Sequence, residues 1–410
     1  MKQIVILGAG FGGITTALKL SSQIKKIEVE ITIIDEQDYH LFTTNLYEVA
    51  TAEEELTSIT QLKKTITLPI TEILHSHPVR FVKGRFKLID PEKKQVNLED
   101  GKSFNYDYLV VAAGSITDYF NIPGAEANSI PLKTLKDALK IRNQVEFLIQ
   151  AHRLDTSKKL LRFVVAGGGY TGVEFVSELS NLVRMLSWKY GYPHEKLEIV
   201  VVEGTNQLIP GLSDRLSRDA YRRLEQLGVR VMLSSFITSV SDQFLDFKNG
   251  ERLAYDLLVW STGVKARALS FTIPPAKDKK GRCMTTPFLQ TQTWPNIFVI
   301  GDMACVMNDQ GIPAPSTAQD AVAQARYVAY AIVQQLQNKK SKPYSVLKHG
   351  FIVSIGGKWA ILKVGHWYIS GFLGYLVGQG AHLRYYASLV GWWQATKYVV
   401  FQMEIYTRND

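Results

Sequence analysis

Two glycine-rich turns with the same spacing are the residues of this chain best suited to do chemistry. They occupy Gly8–Gly13 and Gly167–Gly172, and each reads G-x-G-x-x-G directly after an apolar, β-branched run and before a helical pattern. Glycines at these positions let the backbone turn tightly and approach a pyrophosphate, which then lies at the positive end of the helix. Two copies in one chain predict two bound dinucleotides. The glycines expected to contact them are Gly8, Gly10, Gly12, Gly13, Gly167, Gly169 and Gly172.

An acidic residue ends the next predicted strand after each turn. The strand Val29–Asp35 ends in Asp35, and the strand Leu197–Val202 is followed by Glu203. A carboxylate at this point can accept both hydroxyls of an adenosine ribose. For Asp35 the alternative is an acid that is merely solvated at a strand end. The second unit is longer than the first, and we place the extra residues as an insertion over Val183–Lys196.

Small residues follow two further predicted strands. The run Tyr108–Gly114 is predicted to be a strand that ends in Ala112-Ala113-Gly114, and the strand Tyr255–Trp260 leads into Ser261-Thr262-Gly263-Val264. A backbone can pass close to a ligand where a buried parallel strand ends in small residues. The echo between the two halves favours an internal duplication.

A third acid follows a later strand. The predicted strand Asn296–Ile300 leads into Gly301-Asp302, and a carboxylate there can accept from a ribityl hydroxyl of a flavin. An ordinary turn aspartate is the alternative. Pro315–Gln324 then opens a helix with Gln319 at its start, and the N-terminal amides of such a helix can face a flavin ring.

Length and charge limit the function classes. The 410 residues, 46% of them hydrophobic, suffice for two α/β cores and an appendage. Of the net charge of +9, the segment from Lys339 onward carries +7, from nine basic and two acidic residues, which leaves +2 for the rest. The basicity is concentrated in the tail, so we do not expect nucleic acid as a partner.

The cysteines exclude two further classes. Cys283 and Cys305 are the two cysteines of the chain, and neither belongs to a C-x-x-C or longer paired spacing. A disulfide framework, a zinc site and redox-dithiol chemistry are therefore disfavoured, and no metal site is expected. A reducing cytoplasm is the default, and the N-terminus shows no secretory signal.

The tail, residues 349–410, has the composition of a membrane-surface segment. It holds four of the seven tryptophans and two acids. One helical face is predicted to carry Leu389, Trp392, Trp393, Thr396, Val400 and Met403, with Arg384, Lys397 and Arg408 around it. Aromatic residues at headgroup depth and cations toward anionic lipid are typical of interfacial helices. A helix that packs in a core or a dimer is the alternative. A spanning helix is disfavoured by the glycines of residues 364–383.

Together these motifs resemble the two-dinucleotide flavoproteins and, within them, the type II, non-proton-pumping NADH:quinone oxidoreductases. The resemblance covers the whole chain, including the tail. It implies that NADH gives a hydride to FAD and that a membrane quinone then takes two electrons. The residues it implies for FAD are Gly8, Gly10, Gly12, Gly13, Asp35, Ala113, Gly114, Gly301, Asp302, Ala318 and Gln319. Those it implies for NADH are Gly167, Gly169, Gly172, Glu203, Thr262 and Gly263.

The resemblance also implies two catalytic residues. Glu174 matches the glutamate that the family places near flavin and nicotinamide, and Gln319 matches a glutamine on the quinone side. A glutamate on a helix surface is the alternative for Glu174. The segments His40–Phe42 and Leu46–Ala50 are similar to the part of the family near flavin and quinone.

Two departures concern the acceptor. The family's second quinone-side glutamine is replaced by Ala323, and the next glutamine is Gln324. Gly378 and Gln379 stand where the family usually has tryptophans, although His382 and Leu383 match. The departures leave open which acceptor is used and how strongly the tail binds a membrane.

We therefore expect an α/β fold with two Rossmann-like domains, for FAD and NADH, and a C-terminal amphipathic membrane-associating segment. The predicted bounds are residues 1–117 with 265–340 for FAD, 118–264 for NADH and 341–410 for the tail. NADH is favoured over NADPH because Glu203 would repel a 2′-phosphate and Gly204-Thr205-Asn206 offers no arginine. The expected partners are NADH, a membrane quinone, an anionic membrane surface on the cytoplasmic side, and a second copy in a homodimer. The alternative function is a redox-sensing FAD/NADH interaction protein that resembles apoptosis-inducing factor.

Overall fold

The computed structural model describes residues 1–24, 28–53, 59–153, 160–347, 350–365 and 367–406. Its strands in chain order are β1 (Lys2–Leu7), β2 (Val29–Asp35), β3 (Tyr39–Leu41), β4 (Thr67–Pro69), β5 (Val79–Lys83), β6 (Phe86–Asp90), β7 (Gln95–Leu98), β8 (Ser103–Asn105), β9 (Tyr108–Val111), β10 (Ser115–Thr117), β11 (Ile130–Pro131), β12 (Leu161–Ala166), β13 (Leu197–Val202), β14 (Val229–Met232), β15 (Ile237–Val240), β16 (Phe244–Phe247), β17 (Arg252–Ala254), β18 (Leu257–Trp260), β19 (Val264–Ala266), β20 (Cys283–Met284), β21 (Ile297–Val299), β22 (Ala304–Cys305), β23 (Phe351–Ser354), β24 (Ala360–Val364) and β25 (Trp367–Gly371).

Helices connect these strands. In chain order they are α1 (Phe11–Gln23), α2 (Leu46–Ala50), α3 (Ile59–Ile66), α4 (Ile70–Leu74), α5 (Ala125–Asn128), α6 (Leu135–His152), α7 (Tyr170–Tyr190), α8 (Asp214–Gln226), α9 (Ala318–Leu336), α10 (Phe372–Val390) and α11 (Trp392–Tyr406), with 3-10 turns at Thr43–Asn45, His194–Lys196 and Gly301–Met303.

The described residues form two compact units. The first contains Met1–Leu41, Thr67–Ile116 and Val264–His349, and the second contains Phe42–Ile66, Thr117–Gly263 and Gly350–Asp410. They differ from the predicted domains in three places, because residues 42–66 and the tail from Gly350 onward group with the second unit, whereas residues 341–347 of the predicted tail group with the first. The packing of α2 against α6 and α7, and of α11 against α3, accounts for the first two differences. The domain bounds for the two ligands stay a prediction.

The first unit is built around a parallel five-stranded sheet in the order β21-β9-β1-β2-β5. Its central strand β1 is flanked by β2 and β9, with Ile4 opposite Ile31 and Tyr108. Strand β1 buries Ile4–Leu7 continuously, as expected for a parallel strand covered on both faces. An antiparallel sheet, β6-β7-β8, lies between β5 and β9 in the sequence.

The second unit repeats this plan. Its parallel sheet has the order β11-β18-β12-β13-β14. The antiparallel sheet β15-β16-β17 comes in the sequence just before β18, the strand that pairs with β12, as β6-β7-β8 comes before β9 in the first unit. The predicted α/β class with two Rossmann-like domains is therefore confirmed. The insertion predicted over Val183–Lys196 is mostly helix, because α7 continues to Tyr190 and ends at Gly191 in the left-handed conformation.

The tail contains a three-stranded antiparallel sheet, β23-β24-β25, followed by α10 and α11. The single stripe predicted from Leu389 to Met403 is wrong at its start. Gly391, with φ of +81°, separates the two helices, and Leu389 is buried within α10. Arg408 lies outside the described residues. The described helices include none that is both long and apolar enough to cross a bilayer.

Candidate nucleotide and redox sites

The first glycine turn leaves an open cradle at the start of α1. Gly8 has φ of +98°, and a side chain there would overlap the backbone of Ala112. A side chain at Gly13 would overlap the carbonyl oxygen of Gly8, so α1 can approach β1 this closely only with glycine at that position. An added Cβ at Gly10 would meet no atom within 4 Å. The space beyond the helix N-terminus is therefore free for a phosphate group.

The second glycine turn has the same geometry. Gly167 has φ of +106°, and a Cβ there would lie 2.8 Å from the carbonyl group of Ser261. A side chain at Gly172 would overlap the carbonyl oxygen of Gly167, whereas Gly169 faces open space. The first, second and third motif glycines thus play matching parts in the two halves.

The acid after each second strand is fixed by the turn beside it. Asp35 accepts hydrogen bonds from the backbone N–H of Ala9 at 2.6 Å and of Gln37 at 2.8 Å. Burial raises the pKa of Asp35, and these two N–H groups oppose that rise. A carboxylate has about four lone-pair sites. Two donors therefore leave capacity for ribose hydroxyls.

Glu203 repeats this arrangement in the second unit. Its carboxylate accepts from Gly168 N–H at 2.7 Å and from Thr205 N–H at 2.8 Å. Gly168 is the second residue of its turn, as Ala9 is of the first. The structure thus brings both predicted acids to the glycine turns, with their oxygens held at the carboxyl edge of the sheet.

Asp302 in the first unit is held by a residue that sequence reasoning missed. The hydroxyl of buried Ser115 donates a hydrogen bond to the Asp302 carboxylate. Ser115 comes directly after Ala113-Gly114, and Gly114 has φ of +72° with open space where a Cβ would be. The predicted residues Ala113, Gly114 and Asp302 therefore meet at the ends of β9 and β21.

Gln324 also holds this turn. Its side-chain oxygen accepts from Gly301 N–H at 2.7 Å, and the residue is buried. Gly301 has φ of +64°, so the turn requires a conformation that glycine adopts easily. Gln324 is thus committed to positioning Gly301-Asp302.

The helix that follows starts as predicted. Thr317 caps α9 by accepting from Asp320 N–H at 3.1 Å, so that Ala318 and Gln319 occupy its first two positions. Gln319 is exposed there. The helix N-terminus carries a partial positive charge, which stabilises a nearby negative charge.

His40 supports the first glycine turn from the side. Its Nδ1 lies 2.9 Å from the carbonyl oxygen of Ala9, and its ring stands edge-on to Phe11. Burial lowers the pKa of His40 to about 4. The imidazole is therefore neutral at pH 7, and Nδ1–H donates to the carbonyl.

Glu174 in the second unit has an environment that raises its proton affinity. It follows the third motif glycine by two residues on α7 and accepts from Ser354 N–H at 3.4 Å. Burial raises the pKa of Glu174 to about 8, and the nearby Glu178 contributes in the same direction. Buried Tyr47 lies close enough for its own pKa to be raised partly by Glu174. At pH 7 Glu174 is mostly a neutral acid that can donate a proton.

Arg223 holds the backbone just after Ser354, the residue whose N–H donates to Glu174. Its Nε donates to the carbonyl oxygen of Ile355 at 3.1 Å, and its Nη2 donates to that of Gly356 at 2.9 Å. The guanidinium also lies 5.6 Å from the ring centroid of Trp359. Ser354 is therefore held toward Glu174 from α8, a contact between residues far apart in the sequence.

The residues after β18 offer an unpaired polar group. The hydroxyl oxygen of Thr262 is buried and has no hydrogen-bond partner among the described residues. Gly263 lies against Phe120, since an added Cβ would be 2.9 Å from that ring. Phe120 has φ of +52°, a strained value for a bulky residue. A buried hydroxyl without a partner is costly, so Thr262 fits a ligand that supplies the missing bond.

The two cysteines are inert in this fold. Cys283 and Cys305 are both buried, and burial raises the pKa of each thiol, that of Cys283 to about 11. Their thiols are protonated at neutral pH and poor nucleophiles. In the parts of the chain that the structure describes, no cluster of three or more metal-ligating side chains occurs.

The tail presents an apolar surface. Its large exposed side chains are Val364, Trp367, Ile369, Phe372, Leu373, Leu376, Val377, Trp392, Trp393 and Val400. Lys397 accompanies them, with its ammonium 5.0 Å from the ring centroid of Trp393. Exposed apolar patches of this kind mark interaction surfaces. Four residues of the predicted stripe, Trp392, Trp393, Thr396 and Val400, are exposed.

Comparison with known proteins agrees with this architecture. Residues 2–325 match the family described as pyridine nucleotide-disulphide oxidoreductase. The chain is 30% identical to proteins named type II NADH:quinone oxidoreductase from Staphylococcus saprophyticus and from Staphylococcus aureus, over 87% of this chain and 88% of each relative. The structure of NDH2 from Plasmodium falciparum in complex with NADH has a TM-score of 0.86, with 19% identity and coverage of 99% of both chains.

Proposed function

The chain belongs to the type II NADH:quinone oxidoreductase family, and we propose on that basis that it oxidises NADH by means of bound FAD and reduces a quinone. One observation supports the binding of two nucleotides most directly. Each glycine turn donates one backbone hydrogen bond to a strand-end carboxylate, from Ala9 to Asp35 and from Gly168 to Glu203, and each carboxylate also accepts from the N–H two residues after it. The bound FAD would supply the redox chemistry, accepting a hydride and releasing two electrons.

The first unit would hold FAD. Gly8, Gly10, Gly12 and Gly13 form the pyrophosphate cradle, and Asp35 accepts the ribose hydroxyls. Asp302, fixed by Ser115, accepts from the ribityl chain between Ala113-Gly114 and Gly301. The start of α9, with Ala318 and Gln319, carries a partial positive charge, which would stabilise negative charge that develops on a flavin ring beside it.

The second unit would hold NADH. Gly167, Gly169 and Gly172 form the cradle and Glu203 binds the adenosine ribose, while the Thr262 hydroxyl and Gly263 contact the nicotinamide end. Thr262 gains the partner it lacks. Glu203 already has two backbone donors, and its negative charge repels a 2′-phosphate, which favours NADH over NADPH.

Glu174 and Gln319 are the residues we assign to catalysis. The raised pKa of Glu174, about 8, suits a group that exchanges a proton near neutral pH while charge moves in the site. Gln319 is exposed at the first turn of α9 and has amide N–H groups to donate to a quinone carbonyl.

The tail would attach the enzyme to the surface of a membrane. Trp392, Trp393 and the exposed apolar side chains of α10 would enter the headgroup region, where amphipathic tryptophan is favoured. Each basic residue near anionic lipid adds about 1 kcal/mol of attraction. We propose a peripheral enzyme on the cytoplasmic side, where anionic lipid and NADH are both available, and a homodimer.

Steady-state oxidation of NADH by the purified holoprotein tests this function. Water-soluble menaquinone, ubiquinone and plastoquinone analogues are compared as acceptors with ferredoxin and with a disulfide. We expect rapid turnover with at least one quinone and none with the disulfide, because both thiols are buried. Flavin reduction by NADH followed by slow reoxidation with every quinone would contradict the proposal and favour a redox-sensing interaction protein.

A further inference from the structure

The loop after the third strand contacts the acid loop in both halves of the duplicated fold. In the first unit, Gly84 N–H follows β5 and donates to the carbonyl oxygen of Asp35 at 2.8 Å. The next residue, Arg85, reaches Glu36, the residue after the acid, at 3.4 Å. A planar guanidinium is thus held beside the ribose-binding acid of the first unit.

The second unit repeats this contact with different side chains. Ser235 N–H follows β14 and donates to the carbonyl oxygen of Glu203 at 2.9 Å. The next residue is Phe236, and it lies on Gly204, the residue after the acid. A Cβ added to Gly204 would be 3.0 Å from a ring carbon of Phe236. Gly204 and Phe236 in the second unit therefore stand where the first unit has Glu36 and Arg85.

The backbone of the loop that carries Phe236 is held by hydrogen bonds on both sides, while the ring is exposed. The backbone N–H of Lys248 donates to the carbonyl oxygen of Phe236 at 2.9 Å, and Ser234 N–H donates to that of Thr205 at 2.7 Å. The side chain keeps 56% of its surface exposed. A large apolar ring is thus displayed to solvent from a loop that is bonded on both sides.

The order of the groups in a dinucleotide indicates which of them would lie next to the Phe236 ring. A pyrophosphate at Gly169 and a ribose at Glu203 leave the base on the far side of the ribose, toward the loop after β14. Phe236 and Gly204 lie in that direction. Because residue 204 is glycine, the Phe236 ring can lie directly against the backbone of the acid loop.

We propose that Phe236 is the stacking platform for the adenine of NADH, an inference that rests on the proposed function. The aromatic face binds the base by stacking, while Glu203 binds the ribose hydroxyls. Arg85 occupies the equivalent place in the first unit, where a guanidinium plane can also stack on a purine. Phe236 acts on the affinity for the adenosine half of the substrate and not on the hydride transfer.

Kinetics with NADH and with reduced nicotinamide mononucleotide, which lacks the adenosine, test this role. The purified holoenzyme is compared with Phe236→Ala, Phe236→Trp and the control Phe147→Ala, which changes a similarly exposed phenylalanine on α6. By analogy with base stacking on aromatic side chains, we expect Phe236→Ala to raise the KM for NADH about fivefold to tenfold. The kcat, and the kcat/KM for the mononucleotide, should stay within about twofold of wild type.

Tryptophan at residue 236 should preserve the low KM, and Phe147→Ala should match wild type. Parallel losses with NADH and the mononucleotide in Phe236→Ala, or an unchanged KM for NADH, would overturn the platform. Calorimetric binding of ADP-ribose separates this result from the proposed function. If the wild-type chain binds ADP-ribose but reduces no quinone, the proposed function is refuted, and the role of Phe236 is then decided by whether Phe236→Ala binds ADP-ribose more weakly than wild type. If the wild-type chain binds no ADP-ribose, the stacking platform is refuted.

Discussion

Replacing Glu174 by glutamine should change how the stability of the protein depends on pH. In the folded chain Glu174 is half-buried, and burial raises its pKa from 4.5 to about 8. In the unfolded chain the carboxyl is solvated and ionises near its ordinary value. Folding near neutral pH therefore requires Glu174 to take up a proton. Glutamine has a similar shape, can still accept from Ser354 N–H, and does not titrate.

The size of the effect follows from the pKa difference. A group whose folded pKa is raised contributes its full stability below the unfolded pKa and loses it as the pH rises to the folded pKa. At 1.36 kcal/mol for each pKa unit, the loss is about 3 kcal/mol at pH 7 and about 4 kcal/mol at pH 8, relative to pH values well below 4.5. The partial exposure of Glu174 lowers both values. Glu178, Tyr47 and Tyr170 lie close enough to influence the titration.

Urea unfolding of the flavin-bound protein at pH 5, 6, 7 and 8, followed by circular dichroism, measures this difference. We expect Glu174→Gln to gain stability over wild type steadily as the pH rises through this range. The control is Glu195→Gln, which makes the same substitution at an exposed position. Parallel curves for wild type and Glu174→Gln would refute the reasoning, and so would a gain of the variant toward low pH.

Three further predictions concern the ligand sites and the tail. Asp302→Ala should lower the flavin content of the purified protein, measured by absorbance, and a full complement of flavin would show that the ribityl contact is unimportant. Glu203→Gln should raise the ratio of kcat/KM for NADPH to that for NADH by about tenfold, because a repulsive charge is removed; an unchanged ratio would contradict the assignment. Replacing Trp392 and Trp393 together by alanine should reduce cosedimentation with anionic vesicles, whereas Trp188→Ala, at a tryptophan that is 87% exposed on α7, should not. Equal sedimentation of all three proteins would indicate that the tail serves packing instead.

The glycine turn and the strand-end acid of each unit could be predicted from the sequence because the residues that form them lie close together in the chain. A glycine turn, a helix and a strand-end acid follow one another within a few tens of residues, and the hydrogen bonds from Ala9 to Asp35 and from Gly168 to Glu203 complete the pattern. The spacing therefore fixes which atoms can meet. The helix predicted to open within Pro315–Gln324 is present as well, and it begins at Ala318, one residue before Gln319.

The residues that hydrogen-bond to Asp302 and Glu174 could not be predicted in this way. Ser115 meets Asp302, and Ser354 meets Glu174, across 187 and 180 residues respectively. The first pair depends on β9 and β21 becoming neighbours in the sheet, and the second depends on the packing of β23 against α7. A single sequence gives no signal that selects Ser115 from the other serines. The prediction for the tail was wrong at Leu389 because a stripe of apolar residues says nothing about the break that Gly391 introduces.

The contrast between the two halves bears on why one nucleotide would stay bound and the other would leave. In the first unit Glu36 receives two guanidinium groups, from Arg85 at 3.4 Å and from Arg267 at 2.6 Å, so charged groups lock the loop beside Asp35. In the second unit the equivalent contact is the neutral pair of Gly204 and Phe236. A resident cofactor gains from a rigid site, whereas a substrate that is bound too tightly slows turnover without speeding the chemistry. Stacking on an exposed ring provides affinity that can be released in each cycle. With FAD in the first unit and NADH in the second, as proposed, the same duplicated turn would serve retention in one unit and exchange in the other.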